Sequence, residues 1–101
     1  MPKVIVKYKV KSDRSEENID YINQVFKALH KASPKGLRYA SFVLEDDLSF
    51  VHIASVETDD GSNPLASLPE FQAFIADIAS RCDEPPQAST ADLLGSYRIF
   101  D

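Results

Sequence analysis

The chain of 101 residues has no tryptophan, one cysteine and only three glycines. A single cysteine cannot form an internal disulfide, so a small scaffold stapled by disulfides is excluded. There is no glycine-rich phosphate loop, zinc-ligand spacing or nucleophile elbow, and the acidic pairs Asp46-Asp47 and Asp59-Asp60 lack calcium-loop spacing. The sequence therefore predicts no metal and no cofactor.

Basic charge and long apolar runs are also scarce. Eleven lysines and arginines stand against 16 acidic residues, for a net charge of −5. Because binding to a phosphate backbone needs a basic surface, we expect no nucleic-acid partner. No run approaches the roughly 18 apolar residues that span a bilayer, and strand-like sequence begins at Lys3 without a signal-peptide core. These features predict a cytoplasmic protein with no membrane association.

Four segments have strand character within what we expect to be one domain, residues 1–101. Val4–Val10 alternates apolar and polar side chains, which is the period of a strand. Leu37–Leu44 and Ser49–Glu57 are β-rich and separated by a short polar loop, so they should form an antiparallel hairpin. Ala91–Phe100 alternates well enough to predict a terminal strand.

Two amphipathic helices are predicted between these strands. The first has the capping-box pair Asp13 and Glu16, with Ser15 as a competing cap, and ends near Ala32. The second starts near Ser67 with Pro69 in its first turn, and Pro85-Pro86 should end it. Its apolar stripe comprises Phe71, Phe74, Ile75, Ile78 and Cys82. The order βαββαβ predicts an α+β, ferredoxin-like fold: a four-stranded antiparallel sheet with two helices on one face.

Both faces of the predicted hairpin are apolar. With Leu44 opposite Ser49, one face carries Phe42, Leu44, Val51 and Ile53, joined by Ile5 and by Leu94 or Phe100. Two helices can cover only the other face, and a large apolar patch rarely faces water in a monomer. We therefore expect a homodimer through this sheet face, a dimeric α/β barrel, with a heterologous partner as the alternative.

The stretch LPEFQAFIADIASRCDEPP, followed by GSYRIF, together with the element order and the length, resembles the antibiotic biosynthesis monooxygenase-like family of dimeric α/β-barrel proteins. It is most similar to bacterial members of unassigned function. The family includes cofactor-independent monooxygenases that oxidise polycyclic aromatic substrates, and also haem-degrading enzymes. The resemblance implies an activity of one of these kinds.

The residues of this chain fit the two activities differently. Haem-degrading relatives use an asparagine on the first strand, a tryptophan and a helical histidine. Here the first strand offers Lys7 and Tyr8, the second helix has no histidine, and tryptophan is absent. Quinone-forming monooxygenases use tyrosine, arginine and histidine as well as tryptophan and asparagine, and the first three are present. The resemblance therefore implies the monooxygenase rather than haem degradation.

The stretch SFVHIASVE places His52 inside an apolar strand, opposite Ser41 and on the face that carries Tyr39. Tyr8 and Tyr97 alternate in phase with apolar neighbours and could point into the same space. Aromatic walls with a few polar groups suit a small planar ligand, and histidine moves protons near neutral pH. One hypothesis makes His52 catalytic and the other four substrate-binding. The alternative is that His52 only donates to Ser41 or a backbone carbonyl and fills the core.

Two functions from different classes follow. The first is a cofactor-free monooxygenase acting on a small, electron-rich aromatic whose deprotonated form itself reduces dioxygen, with His52 as base or orienting donor. The second is a non-catalytic ligand-binding or interaction module on the same dimeric scaffold. A cavity beside His52 would distinguish them.

Three further groups have structural explanations. Cys82, at the predicted helix end and before two carboxylates, is a poor nucleophile. His30 should interact with the carbonyls that end the first helix. The lysines Lys3, Lys7, Lys9 and Lys11 form a solvated or dimer-facing strip that could pair with Glu57.

Overall fold

A computed structural model describes residues 3–99. Its elements are β1 (Lys3–Val10), α1 (Ser15–Ala32), β2 (Leu37–Val43), β3 (Ser49–Val56), α2 (Pro69–Ala76), α3 (Ile78–Arg81) and β4 (Cys82–Ala91). The βαββαβ order is confirmed, with α3 as a short addition between α2 and β4. Within residues 3–99, no helix is both long and apolar enough to cross a membrane.

The four strands form one antiparallel sheet in the order β2-β3-β1-β4. Ser41 and His52 lie directly opposite each other, which confirms the register expected from the hairpin. The loop that sets this register is closed by Asp46, whose carboxylate accepts hydrogen bonds from the backbone N–H groups of Leu48 and Ser49. A hydrogen bond from the Ser49 hydroxyl, followed by these two backbone bonds, lowers the pKa of Asp46 to about 2.

The helices cover one face of the sheet, which we call the inner face. Alternation along each strand turns every second side chain toward α1 and α2. The buried apolar core comprises Tyr8, Val10, Ile22, Val25, Phe50, Leu65 and Phe74. His52 lies on the same face as Phe50, because the two are separated by two positions on β3. The inner face is therefore where a side chain from the sheet can meet both helices.

The outer face, on the other side of the sheet, carries a row of apolar side chains. Ile5 lies opposite Ile53, and Val51 lies opposite Phe42. None of these four packs against the buried core, and all four are half-buried within the chain. The prediction that the hairpin is apolar on both faces is confirmed.

The position of the fourth strand was predicted wrongly. β4 is Cys82–Ala91, not Ala91–Phe100, and it contains Pro85 and Pro86, which were expected to act only as breakers. β4 is an edge strand, so a missing N–H there costs no hydrogen bond on its free side. Lys7 pairs with Gln87 but Lys9 with Glu84, so the two prolines lie opposite the single residue Tyr8 in a bulge.

The residues after β4 also differ from expectation. Residues 92–99 lie outside the sheet and are exposed, and Leu94 is therefore not part of the outer face. Phe100, the other candidate for that face, lies outside the described residues.

The helix starts and the end of the second helix also need correction. Arg14 and Leu68 occupy the N-cap positions and make no side-chain cap, so neither predicted capping box forms. The second helix ends at Ala76 and a separate turn of helix, α3, leads to Cys82, which is the first residue of β4. The end of α1 at Ala32 is confirmed, with Ser33 in the left-handed conformation at its C-cap.

Candidate active site

His52 lies at the centre of a buried polar cluster on the inner face. It is in the middle of β3, and its side chain is only 5 % exposed. Its Nε2 atom lies 2.8 Å from the hydroxyl oxygen of Tyr8. Its Nδ1 atom lies 2.6 Å from the hydroxyl of Tyr39 and 2.7 Å from that of Ser41. Both ring nitrogens are therefore hydrogen-bonded to side chains.

The sheet register explains why these residues meet. Ser41 is directly opposite His52 on β2, and Tyr39 is the diagonal neighbour, opposite Ala54. Tyr8 reaches His52 from β1 on the other side, where it is paired with Phe50. Diagonal neighbours on one face of a sheet are within reach of aromatic side chains. The structure thus brings together four of the five residues that the sequence singled out.

Tyr97, the fifth, is elsewhere. It lies beyond β4, its side chain is 83 % exposed, and its ring contacts the guanidinium of Arg98 at 5.3 Å. Within this chain it does not join the cluster.

Aromatic rings enclose the imidazole. The Tyr8 ring stacks on it at a centroid distance of 5.4 Å, the Tyr39 ring at 5.8 Å, and the Phe74 ring from α2 lies at 5.5 Å. Because burial removes water from the charged form, the pKa of His52 falls to about 4. The imidazole is therefore neutral at physiological pH.

The two phenols are also neutral. Burial raises the pKa of Tyr8, and a hydrogen bond from Asn18 offsets only part of that rise. Burial likewise raises the pKa of Tyr39, against a smaller opposing effect of its hydrogen bond with Ser41. The cluster around His52 is thus a set of uncharged donors and acceptors.

Two residues that the sequence reasoning missed extend this cluster into the helices. Asn18 on α1 is fully buried, and its Nδ2 donates to the Tyr8 hydroxyl at 2.9 Å. Arg81 on α3 is also fully buried, and its Nε donates to Asn18 Oδ1 at 3.3 Å. The Arg81 guanidinium also donates to the Phe74 carbonyl and lies 4.6 Å from the centre of the Tyr21 ring.

A signal for both residues was present in the helical patterns. Asn18 is four residues before Ile22, on the apolar stripe of α1. Arg81 is three residues after Ile78, which belongs to the second predicted stripe. A polar side chain at a position that faces the core must find a partner there.

A groove of about 340 Å³ opens next to the cluster, between the C-terminal half of α1 and the start of β2. Its walls include Phe26, Leu29, His30, Pro34, Leu37 and Tyr39. His52 does not line it, but Tyr39 does, and the hydroxyl of the same tyrosine bonds His52. The Tyr39 ring stacks on Phe26 at 5.2 Å, so one wall of the groove is aromatic. Tyr39 therefore connects the groove to the imidazole.

The remaining candidates lie outside the cluster. Burial raises the pKa of the Cys82 thiol, which agrees with its exclusion as a nucleophile. The carboxylate of Glu57 pairs with Arg38 at 3.1 Å, and its pKa is lowered by hydrogen bonds from Ser55 and Arg38 and, to a smaller extent, by the charge of Lys3 on β1. His30 is exposed and lines the groove, a position that the sequence reasoning did not foresee.

Comparison with known proteins gives matches in structure only. No family model matches the chain, and no curated protein matches it. A crystal structure of an antibiotic biosynthesis monooxygenase superposes with a TM-score of 0.71 at 16 % identity, covering 94 % of this chain and 100 % of that one. The chain has the fold of the antibiotic biosynthesis monooxygenases. The fold expected from the resemblance is thus confirmed.

Two further structures with this fold differ in what is known of them. SnoaB of Streptomyces nogalater, a cofactor-independent oxygenase, matches with a TM-score of 0.67 at 15 % identity, with 96 % of each chain covered. NE2512 of Nitrosomonas europaea, a protein of unknown function, matches with a TM-score of 0.69 at 15 % identity, covering 95 % of this chain and 91 % of that one. One fold thus includes both an oxygenase and a protein without an assigned activity.

Proposed function

We propose that the protein is a cofactor-independent monooxygenase that oxidises a small, electron-rich aromatic. The observation that carries this proposal is the buried His52, hydrogen-bonded on both ring nitrogens to hydroxyl groups, one of which belongs to a wall of the groove. Support comes from the fold, which is shared with the cofactor-independent oxygenase SnoaB.

The groove suits the substrate class. Its aromatic wall, Tyr39 stacked on Phe26, offers a planar ligand a surface for stacking. A volume of about 340 Å³ falls at the lower end of the range typical of small-molecule sites. A ring bound there would contact Tyr39, whose hydroxyl is hydrogen-bonded to His52.

The reaction needs no external reductant. A phenolic substrate loses its O–H proton, and the electron-rich anion transfers electrons to dioxygen. One oxygen atom enters the ring as a quinone carbonyl, and the other leaves as water with the two hydrogens lost from the substrate. In this scheme Tyr8, Tyr39 and Ser41 hold the polar groups of the site in place, and His52 acts as base or orienting donor.

The test is oxygen uptake with a panel of hydroxylated polycyclic aromatics. We expect His52→Ala to fold but to lose at least about 100-fold in turnover, the lower range for loss of an acid–base group. Ser41→Ala should lower turnover as well, whereas Ser12→Ala, at an exposed turn, is the matched control and should not. Unchanged turnover in folded His52→Ala would remove the histidine from the mechanism.

A second function, ligand binding without catalysis, has one observation in its favour. His52 is nearly inaccessible and does not line the groove, as expected of a histidine that serves the core. In that case aromatic ligands would bind, detected by quenching of tyrosine fluorescence, without any oxygen uptake across the panel.

The active form, in this proposal, is a homodimer formed through the outer face. The apolar rows of the outer face run from β2 across β3 to β1, on the side of the sheet away from both helices. They comprise Phe42, Val51, Ile53 and Ile5. A second copy related by a two-fold axis would cover this surface with an identical one.

A further inference from the structure

The directions of the hydrogen bonds behind His52 are fixed by Arg81. A guanidinium group only donates, so Asn18 Oδ1 must be the atom that accepts from Arg81 Nε. This fixes the orientation of the Asn18 amide, since a flipped amide would set donor against donor. Asn18 Nδ2 therefore donates to the hydroxyl oxygen of Tyr8.

Tyr8 in turn fixes the tautomer of His52. Its oxygen accepts from Asn18, and its single proton has His52 Nε2 as the remaining partner at 2.8 Å. The opposite direction would give the Tyr8 oxygen two donors and leave its own proton without an acceptor. Since Tyr8 is only 2 % exposed, water could not rescue that proton. His52 Nε2 is thus an acceptor, and the proton of the neutral ring is on Nδ1.

This series of hydrogen bonds, which starts at Arg81, ends in a hydroxyl donor that has no acceptor. The Nδ1 proton is directed at the hydroxyl oxygens of Tyr39 and Ser41, which we call the hydroxyl pair. Each hydroxyl still has its own proton, and one can donate to the other. Among the described residues the hydroxyl pair has no further hydrogen-bond acceptor, so one O–H is left without an acceptor, and Tyr39 of the pair lines the groove.

We propose that Arg81 is a positioning residue: acting through Asn18 and Tyr8, it holds His52 in the Nδ1–H tautomer and makes the hydroxyl pair a donor to a ligand oxyanion. The ligand part rests on the proposed function, with His52 as its orienting donor rather than its base, and names the substrate form, a phenolate or enolate rather than the neutral phenol. Every hydrogen bond in the series from Arg81 to the hydroxyl pair is donated in the direction away from the guanidinium. Hydrogen bonds aligned in this way polarise one another.

The burial of Arg81 supports a role beyond filling space. Its side chain is fully buried, its Nη1 has no hydrogen-bond partner among the described residues, and its two bonds go to an amide and a carbonyl rather than a carboxylate. Burying a cation in this way is costly, and an apolar side chain would fill the same volume at lower cost. The charge and the fixed donor geometry are what an apolar residue could not supply.

The tautomer can be measured without ligand or turnover. Two-dimensional ¹⁵N NMR of the imidazole, at about pH 8 where the ring is neutral, distinguishes protonated from unprotonated ring nitrogens. His30→Gln removes the signals of the only other histidine. We expect Nδ1–H in the wild type.

Asn18→Asp is the decisive variant, because it changes an N–H donor into an oxygen acceptor of the same size. Tyr8 would then donate to Asp, its oxygen would accept from His52 Nε2–H, and the tautomer would invert. The negative charge beside Arg81 should also help this variant to fold. Asn23→Asp, at an exposed position of the same helix, is the matched control and should keep Nδ1–H.

A second variant, Tyr8→Phe, tests the same role if Asn18→Asp does not fold. Tyr8→Phe removes the link between Asn18 and the ring, so the preference for Nδ1–H should be lost while Asn18 and Arg81 remain. An Nε2–H ring in the wild type, or an unchanged tautomer in folded Asn18→Asp and Tyr8→Phe, would overturn the positioning role.

The ligand part has its own probe, 4-nitrophenol, whose phenolate is distinguished from the phenol by its visible absorption. We expect the wild type to bind the phenolate about tenfold more tightly than the phenol, and Asn18→Asp to lose that preference. Equal binding of both forms by the wild type would overturn the oxyanion assignment. Bound phenolates without oxygen uptake would contradict only the proposed oxidation.

Discussion

Burial of His52 should make the fold sensitive to acid. In an unfolded chain histidine takes up a proton near pH 6.5, whereas folded His52 resists protonation until about pH 4. Between these values the unfolded state binds the extra proton, so the free energy of unfolding falls as the pH is lowered. The difference corresponds to on the order of 3 kcal/mol. The neighbouring phenols of Tyr8 and Tyr39 stay neutral over this range and do not offset it.

Urea unfolding at a series of pH values measures this effect. We expect His52→Gln to lose most of the decline between about pH 7 and pH 4, because glutamine does not titrate. His30→Gln, which changes an exposed histidine, should keep it. A wild-type profile that is flat down to pH 4 would contradict the burial of a neutral imidazole.

At the scale of single residues, the sequence predicted part of the candidate site. The contact between His52 and Ser41 followed from the hairpin register, because paired residues in a sheet share a face. Asn18 and Arg81 were missed, since their contact joins residues 63 positions apart on two different helices. No local pattern reports which two polar residues will meet in a core.

Among the elements, the β2–β3 hairpin was the most predictable and β4 the least. The hairpin has strong alternation and a short loop closed by its own side chain, Asp46. β4 is mostly polar and exposed and contains two prolines, so it carries no hydrophobic period. It is a strand because β1 offers it an open edge, which is a property of the assembled sheet.

At the open end of the β2–β3 hairpin, Gly36 occupies a position where a side chain would not fit. Gly36 has φ of 77°, and a Cβ there would lie 2.7 Å from the side chain of Thr58. Gly61 has the same φ but nothing within 4 Å of the added Cβ. The two positions therefore separate backbone strain from steric overlap.

We expect Gly61→Ala to lower the free energy of unfolding by about 1 kcal/mol, the cost of a left-handed alanine. Gly36→Ala should cost about 1–3 kcal/mol more, because Thr58 and the backbone around it must move. Chemical denaturation of both variants measures the difference. Equal losses would show that the strand end yields to the added methyl group without cost.

At the scale of the whole molecule, a charged substitution on the apolar outer face tests the proposed homodimer. Ile53→Asp would bury a carboxylate in the interface, so we expect this variant to sediment as a monomer at micromolar concentration while the wild type sediments as a dimer. Ile75→Asp makes the same change at an exposed site on α2, away from that face, and should remain dimeric. Circular dichroism checks that both variants fold.

Either of two results would contradict the dimer. One is a wild type that sediments as a stable monomer, and the other is an Ile53→Asp variant that stays dimeric. Failure of this prediction would leave the tautomer of His52 untouched, because the cluster is built within one chain.

The sequence by itself determined the order of the elements, the hairpin register and the apolar character of both hairpin faces, because each depends on residues near one another along the chain. Only the tertiary structure decided which polar residues stand behind His52, where the groove opens, and that Cys82–Ala91 forms the fourth strand. These depend on contacts between distant segments, where the partner of a buried donor or of a strand edge is chosen by the packing of the whole fold.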